Sequence, residues 1–346
     1  MMKLLILGGS RFLGKHMLKA ALARNIEVTL FNRGISGGQP DPDVEILHGD
    51  RNADMNILRG RQWDCVIDTS GYWPSQMRSA AKILSDNIGH YTFISTCSVY
   101  SDFTARNISE TDGLLTLEQE QLSVLDAEHA EKSLQLEHYG ALKTHCEEVL
   151  RQAMPTRSLI IRPGLIVGPY DVSDRFSYWV KRLMRGGNVL APGSRSRPVQ
   201  LIDARDLAEW AVSLGSASVT GTFNATGPKN VLTMGELLQV CRDTCSNEAE
   251  FTWVSDDFLQ EQKIQPWTEL PFWLPDTETG TPGDVGGIFS LSVKRAIDMG
   301  LNFRPLHETV EDTMHWLLEA RPEALGSLKA EREQQLLALW QLRSTR

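Results

Sequence analysis

The sequence lacks a long hydrophobic run and a basic charge balance. None of its apolar stretches reaches the roughly 18 residues of a membrane-spanning helix, so we expect no contact with a membrane. The net charge of −9 and a pI of about 5.5 disfavour general nucleic-acid binding, because phosphate contacts need a basic face. The first residues carry no signal-peptide pattern, so we expect no secretory leader. With 346 residues the chain is long enough for one large domain or two medium ones.

Cysteine is scarce and histidine forms no pattern. The five cysteines are an odd, scattered set: Cys65, Cys97, Cys146, Cys241 and Cys245. Such a set predicts reduced thiols and a cytoplasmic protein. Cys241 and Cys245 lie one helical turn apart, but no second pair of Cys or His stands at zinc spacing. We therefore predict no metal site.

The chain opens on a strand, a glycine turn and a helix. Lys3–Leu7 is an almost wholly apolar run, which is typical of a buried parallel strand. Gly8 and Gly9 end it, and apolar residues recur at helical spacing from Phe12 to Arg24. Glycines let the backbone approach a pyrophosphate, and a helix N-terminus offers unpaired N–H groups. This pattern predicts a dinucleotide site, although the glycines alone are equally compatible with a tight turn in another α/β protein.

Further strands and helices alternate behind this opening. Apolar runs predict strands at Glu27–Phe31, Val44–His48, Trp63–Asp68, His90–Ser95 and Ser158–Arg162. Helices are predicted at about 74–84 and 136–151, and residues 101–135 are interpreted as a loop with a short helix. The alternation predicts an α/β protein with a doubly wound parallel sheet, a Rossmann fold. Ligands bind at the carboxyl ends of such strands, where Gly9, Asn32, Asp50, Ser70 and Thr96 lie.

Beyond Gly164 the regular alternation fades. Helices are predicted near 175–185, 204–214, 292–299, 306–319 and 327–342, strands at 199–202 and 221–224, and a loop-rich region at 255–290. We predict a dinucleotide-binding domain at 1–165, to which 198–225 returns, and a smaller C-terminal substrate-binding region at 166–197 and 226–322. The segment 323–346 is predicted as a helical tail. Its residues Leu336, Leu339 and Trp340 share one face and would cover the core or a neighbouring subunit.

Tyr139 and Lys143 are the strongest candidates for catalytic residues. Four residues apart on a helix, they share one face. An ammonium beside the phenol would favour the ionised form of the tyrosine, which can then move a proton to or from a hydroxyl or carbonyl group. Thr96, at the end of a predicted strand, would hydrogen-bond the same substrate oxygen. Ser95 and Ser98 are alternatives for that role.

The residues after the second predicted strand bear on the choice of cofactor. Arg33 stands where such folds meet the adenosine ribose, and no Asp or Glu occurs between Thr29 and Gly38. An arginine there can meet a 2′-phosphate, so we predict NADP, with NAD as the alternative. Arg11 would add charge near the phosphates, and Asp50 would accept from the adenine amino group. The alternative for both arginines is a solvated surface position.

With these motifs in place, the chain resembles the short-chain dehydrogenase/reductase superfamily over about residues 1–320. The resemblance is to its extended or atypical branch, which is related to NAD-dependent epimerases and dehydratases. It is carried by Gly8–Gly14, Gly49-Asp50, Ser95–Tyr100, Tyr139-x-x-x-Lys143, Arg162-Pro163, Gly168-Pro169, Asp203–Ala208 and Phe223-Asn224. In that family the tyrosine is the general acid/base, the lysine holds the nicotinamide ribose and lowers the pKa of the tyrosine, and a Ser or Thr binds the reacting oxygen.

The resemblance implies a set of site residues. The predicted catalytic residues are Thr96, Tyr139 and Lys143, with Thr96 placed by alignment on Val99-Tyr100. The predicted cofactor-binding residues are Gly8, Gly9, Ser10, Arg11, Phe12, Leu13, Gly14, Asn32, Arg33, Asp50, Arg51, Ser70, Gly71, Tyr139, Lys143, Pro163 and Leu165.

Two departures from the family pattern matter. Arg11 replaces the middle glycine of G-x-x-G-x-x-G, which gives G-G-x-x-x-x-G. That form, together with the run from Gly168 to Asp203, resembles an atypical subgroup that includes chloroplast stem-loop RNA-binding proteins. Sugar-nucleotide epimerases carry a pyrophosphate-binding arginine where this chain has Val199, with Arg195 and Arg197 near but out of register. A sugar or sugar-nucleotide substrate therefore stays open.

Two functions from different classes follow. The first is an NAD(P)-dependent oxidoreductase or epimerase/dehydratase-type enzyme that acts by hydride transfer at a carbon bearing oxygen on a small-molecule substrate. The resemblance also implies a homodimer. The alternative is an RNA-binding protein that keeps the fold without redox turnover. The acidic balance and the Tyr139/Lys143 pair disfavour the alternative, whereas one arginine cluster favours it: Arg175, Arg182, Arg185, Arg195 and Arg197.

Overall fold

A computed structural model of the chain describes residues 1–35, 44–127, 136–245, 248–277, 281, 284–320 and 327–344. The predicted loop at 101–135 and the predicted tail at 323–346 each lie partly outside these residues.

The strands and helices follow the chain in this order. The strands are β1 (Lys3–Leu7), β2 (Glu27–Asn32), β3 (Glu45–His48), β4 (Trp63–Asp68), β5 (Ile88–Ile94), β6 (Ser158–Pro163), β7 (Ile166–Val167), β8 (Asn188–Pro192), β9 (Pro198–Asp203), β10 (Gly221–Ala225), β11 (Gly227–Thr233) and β12 (Glu250–Val254). The helices are α1 (Phe12–Leu22), α2 (Pro74–Leu84), α3 (Gln119–Ala127), α4 (Leu136–Ala153), α5 (Phe176–Met184), α6 (Ala204–Ser216), α7 (Met234–Thr244), α8 (Asp256–Glu261), α9 (Lys294–Asp298), α10 (Leu306–Ala320) and α11 (Ala330–Ser344).

The central sheet has seven parallel strands in the order β3-β2-β1-β4-β5-β6-β10. Its inner strands are apolar along their length because helices cover both faces. Met17 of α1 and Leu207 of α6 pack on one face, and Met77 of α2 and Leu150 of α4 pack on the other. The predicted doubly wound α/β fold is confirmed.

The second half of the chain also builds smaller sheets. Strand β9 pairs with β7 and β11, and β8 pairs with β12 in parallel. A second core lies here around Trp179 and Trp273, both fully buried. Of the segment 198–225, which we predicted to return to the first domain, β10 joins the central sheet and α6 packs on it, whereas β9 belongs to a smaller sheet.

The tail helix α11 covers the core of its own chain. Leu336 and Leu337 are buried in the second core, and Trp340 lies 5.1 Å from Phe258 between ring centroids. Leu339 is 41% exposed and does not share this face, so that part of the prediction was wrong. At about 100° per residue, Leu337 and Leu339 flank Leu336 and Trp340 on opposite sides, and the side of Leu337 is the one that packs on the core.

Candidate active site

The glycine turn after β1 is shaped by close backbone approaches. Gly8 and Gly9 have φ of 105° and 86°, a region that side chains avoid. A Cβ on Gly14 would lie 2.4 Å from the Cα of Gly9, so only glycine lets α1 pack this closely on the turn. The turn is therefore narrow and lined by backbone atoms.

The N-terminus of α1 faces this turn without a side-chain cap. Arg11 occupies the N-cap position with an extended backbone, and the first helical turn holds no acidic residue. A helix N-terminus of this kind attracts an anion through its N–H groups and dipole. The cradle that Gly8, Gly9 and Gly14 leave open thus fits the pyrophosphate of a dinucleotide.

The predicted adenosine contacts lie at the ends of β2 and β3. The Asn32 side chain accepts the N–H of Gly34 at 2.8 Å, and the Asp50 carboxylate accepts the N–H of Asn52 at 2.8 Å. Arg33 is exposed and makes no hydrogen bond or ion pair with the residues that the structure describes. Its guanidinium is thus available to a phosphate at the rim of the site.

Arg51, predicted to contact the cofactor, is tied to Asp68 at the end of β4. The two form a bidentate pair at 2.8 and 3.0 Å, and the Arg51 guanidinium also donates to the Ser70 hydroxyl at 3.0 Å. Tyr91 donates its hydroxyl to the same carboxylate at 2.7 Å. Burial alone would raise the pKa of Asp68, but Arg51 holds it below its usual value. Arg51 is therefore nearly buried and is held in place by Asp68.

Tyr139 and Thr96 meet because a glycine lets α4 cross the end of β5. A Cβ on Gly140 would lie 2.0 Å from the carbonyl oxygen of Ser98, so no other residue fits this crossing. The Thr96 hydroxyl lies close enough to the Tyr139 phenol to act on its pKa, and it also accepts the N–H of Ser98 at 3.2 Å. The structure thus brings together two of the predicted catalytic residues. A glycine inside a strong helical pattern was the sequence signal for this contact.

Lys143 lies one helical turn further, nearly fully buried. Its ammonium donates to the carbonyl oxygens of Gly71 at 2.8 Å and Ile94 at 2.7 Å, and it lies 4.1 Å from the ring centroid of Phe93. Burial lowers the pKa of Lys143 to about 8. The lysine therefore connects the ends of β4 and β5, one helical turn along α4 from Tyr139.

We predicted that Lys143 lowers the pKa of Tyr139, and for this structure that prediction was wrong. Burial raises the pKa of Tyr139, and the neighbouring Tyr72 phenol acts in the same direction. The nearby Thr96 hydroxyl and the charge of Arg175 oppose this rise without overcoming it. The ammonium of Lys143 is instead turned towards backbone carbonyls. The Tyr139 phenol is therefore protonated at neutral pH.

Two residues near Tyr139 were not predicted as site residues from the sequence. The ring of Tyr72 lies 6.5 Å from that of Tyr139, with the Lys143 ammonium 5.4 Å from its centroid. Arg175 is close enough for its charge to act on the pKa of Tyr139. Tyr72 directly follows the predicted Ser70-Gly71, which was the only signal for it, whereas Arg175 is distant in sequence and had appeared only in the arginine cluster.

The alternatives to Thr96 have other partners. Ser95 donates its hydroxyl to Glu147 at 2.6 Å, and Ser98 accepts from Thr96 at 3.2 Å. Pro163 and Leu165, predicted near the cofactor, are buried at the end of β6, where the carbonyl of Leu165 accepts the N–H of Ile202 at 2.9 Å.

A cavity of about 790 Å³ opens beside the smaller sheets. Its wall includes β9, β11 and residues 284–298. Arg106 and Arg197 line it, and each is bound by carboxylates: Arg106 by Asp284 at 2.9 Å, and Arg197 by Asp256 and Asp276 at 2.6 and 2.9 Å. The cavity is large enough for a drug-sized or nucleotide-sized ligand.

The predicted arginine cluster does not form one basic surface. Arg182 is buried against Glu333 at 2.6 Å, and Arg197 is buried in the cavity wall. Arg195 packs its side chain over Gly235. A continuous strip for a phosphate backbone would need these guanidinium groups at the surface.

The sequence matches the model of the NAD dependent epimerase/dehydratase family over residues 4–225. The chain belongs to this family. Among the helices that the structure describes, none is long and apolar enough to cross a membrane.

Similar proteins include two sugar-nucleotide epimerases and a stem-loop binding protein. The UDP-Glc/GlcNAc 4-epimerase of Campylobacter jejuni has a TM-score of 0.66 at 13% identity, over 92% of this chain and 100% of that one. The UDP-glucuronic acid 4-epimerase of Bacillus cereus, solved with NAD, has a TM-score of 0.63 at 15% identity, over 94% and 100%. The chloroplast stem-loop binding protein of 41 kDa b of Arabidopsis thaliana is 28% identical over 257 residues, which span 69% of this chain and 62% of that protein.

Proposed function

We propose that the chain is an NAD(P)-dependent oxidoreductase or epimerase/dehydratase-type enzyme that acts at a carbon bearing oxygen. The observation that carries this proposal is the convergence of Thr96, Tyr139 and Lys143 at the ends of β4 and β5. When bound, the nicotinamide supplies or accepts the hydride.

Each of the three residues has a distinct role. Tyr139, protonated at neutral pH, donates its proton to a substrate carbonyl oxygen and recovers it in the reverse direction. Thr96 orients that oxygen by a hydrogen bond. Lys143, whose ammonium donates hydrogen bonds to the carbonyl oxygens of Gly71 and Ile94, would hold the ribose hydroxyl groups of the bound cofactor.

The substrate we propose is a small molecule of the sugar or sugar-nucleotide class. Support comes from the similar fold of sugar-nucleotide epimerases and from the presence of a cavity of nucleotide size, although none of Thr96, Tyr139 and Lys143 lines that cavity. At less than 20% identity these likenesses concern the fold alone. The activity is therefore argued from the site.

The first prediction concerns the cofactor. Because Arg33 is exposed at the end of β2 and has no partner among the residues that the structure covers, its removal is expected to weaken NADPH binding about tenfold and to leave NADH binding within about twofold. Titrations followed by nicotinamide fluorescence on Arg33→Ala measure both. Arg24→Ala, an exposed arginine at the far end of α1, is the control.

Two other results of this titration would have different consequences. Equal binding of both cofactors by the wild type would remove the role of Arg33 but keep the enzyme. Binding of neither would contradict the proposed function and favour the RNA-binding alternative, which rests on the 28% identity to the stem-loop binding protein. In that case, stem-loop RNA should bind with an affinity that falls steeply with salt, and absence of binding at low salt would end the alternative.

A second prediction concerns pH. Because the pKa of Lys143 is about 8, its ammonium loses its proton as the pH rises through that value. NADH affinity is therefore expected to fall several-fold between about pH 7 and pH 9. Of the groups whose charges act on it, Asp68 stays ionised, Arg51 stays charged and Cys146, whose pKa is raised to about 12, stays neutral. Lys143→Met should bind weakly at every pH, and an unchanged slope in that variant would assign the titration elsewhere.

A further inference from the structure

Arg175 is a half-buried cation beside Tyr139 that no carboxylate in the described part of the chain neutralises. Among the described residues it makes neither a hydrogen bond nor an ion pair within 4.0 Å. Its guanidinium lies 5.7 Å from the ring centroid of Trp267, which holds it in place from one side. Its charge acts on three groups at once: the phenol of Tyr139, the thiol of Cys97 and the carboxyl group of Asp171.

The other cations of this region are bound. Arg51 pairs with Asp68, Arg106 with Asp284, and Arg197 with two aspartates. Lys181, on the same helix α5, pairs with Asp174. Withdrawing a guanidinium from water without a partner is costly, so Arg175 is not explained by the stability of the fold.

Packed aromatic rings connect Arg175 to the wall of the cavity. Trp267, under its guanidinium, lies 5.6 Å from Phe289 between ring centroids, and Phe289 lines the cavity. A substrate whose distal part fills the cavity and whose reacting carbon reaches Tyr139 would therefore pass Arg175. An anion at that point of the substrate would supply the missing partner.

We propose that Arg175 selects substrates that carry an anionic group, a carboxylate or a phosphate, next to the carbon that reacts. This inference rests on the proposed function, because it takes Tyr139 as the reacting group. Arginine suits either anion, since its planar fork donates two parallel hydrogen bonds. Arg175 would then be the residue that decides substrate specificity at this site.

Chemical protection of Arg175 tests the proposal without requiring turnover. The full-length protein, with saturating NAD, is treated with phenylglyoxal, and the adducts are located by peptide mass spectrometry. D-glucuronate and D-glucose 6-phosphate are the anionic probes, and D-glucose is the neutral control. We expect one of the two anions to half-protect Arg175 at a concentration about tenfold below that of glucose. Which one protects distinguishes a carboxylate from a phosphate. Arg185, exposed at the end of α5, should react alike with all three.

Calorimetry on variants completes the test. Arg175→Gln should lose the preference for the protecting anion over glucose, and Arg185→Gln should keep it. Equal protection by all three sugars, no protection by either anion, or a preference that survives in Arg175→Gln would overturn the proposal. Anion protection in a protein that binds neither NADH nor NADPH would instead contradict the proposed function and leave the anion site standing.

Discussion

Tyr139→Phe is expected to lower kcat by about 100-fold to 10,000-fold, the range that positioned acid/base groups contribute. The variant loses a single oxygen, the one that exchanges a proton with the substrate. The ring stays in place because Gly140 still packs against the carbonyl of Ser98, and Lys143 still hydrogen-bonds Gly71 and Ile94 after β4 and on β5. Cofactor affinity should therefore stay within about threefold, so that the loss appears in kcat rather than in binding.

The measurement pairs turnover with cofactor titration. Conversion of sugar nucleotides is followed by proton NMR of the anomeric signals, and NADH binding by fluorescence. Tyr170→Phe is the matched control, because the Tyr170 ring packs on His16 of α1, at 5.6 Å between ring centroids, and not on Tyr139. A Tyr139→Phe variant that retains activity within about tenfold of the wild type would remove Tyr139 from the proton path and leave Tyr72 as the nearest phenol.

The central sheet could be predicted from the sequence because each of its inner strands is buried on both faces. Continuous apolar runs such as Lys3–Leu7 and Trp63–Asp68 match β1 and β4 in both bounds. Of the smaller sheets, only β9 was predicted, as a strand at 199–202. β11 is largely exposed and polar, and β8 pairs with β12, which lies far along the chain. The helix α7 was missed although Thr233 and Glu236 form a capping box at its start.

The position of the candidate site could be predicted better than its electrostatics. Strand ends of a parallel sheet meet at one edge, so Thr96, Lys143 and the glycine turn could be placed together from sequence. The pKa of Tyr139 could not be predicted from the sequence, because the direction of its shift depends on burial and on where the Lys143 ammonium points. The pairing of Arg51 with Asp68 joins two strand ends that are 17 residues apart, and no local pattern indicates it.

The second large effect concerns the buried ion pair between α4 and β6. Glu147 of α4 receives two hydrogen bonds from Arg162 of β6, at 3.0 and 2.7 Å, and one from Ser95 at 2.6 Å. Both charged side chains are at most 1% exposed. Glu147→Ala would leave Arg162 charged, buried and unpaired. We expect the free energy of unfolding to fall by about 3–5 kcal/mol, because the desolvation of one ion is no longer offset by its partner.

Urea unfolding of three variants separates the charge from the loss of packing. Arg151→Ala removes the half-exposed third partner of Glu147 and should cost no more than about 1 kcal/mol, since solvent screens it. Removing both buried charges in Glu147→Leu with Arg162→Met should recover most of the loss, as expected when an unpaired ion is the cause. If the double variant is no more stable than Glu147→Ala, the hydrogen bonds of Arg162 to Tyr100 and to the carbonyl of Glu110 must carry the stability instead.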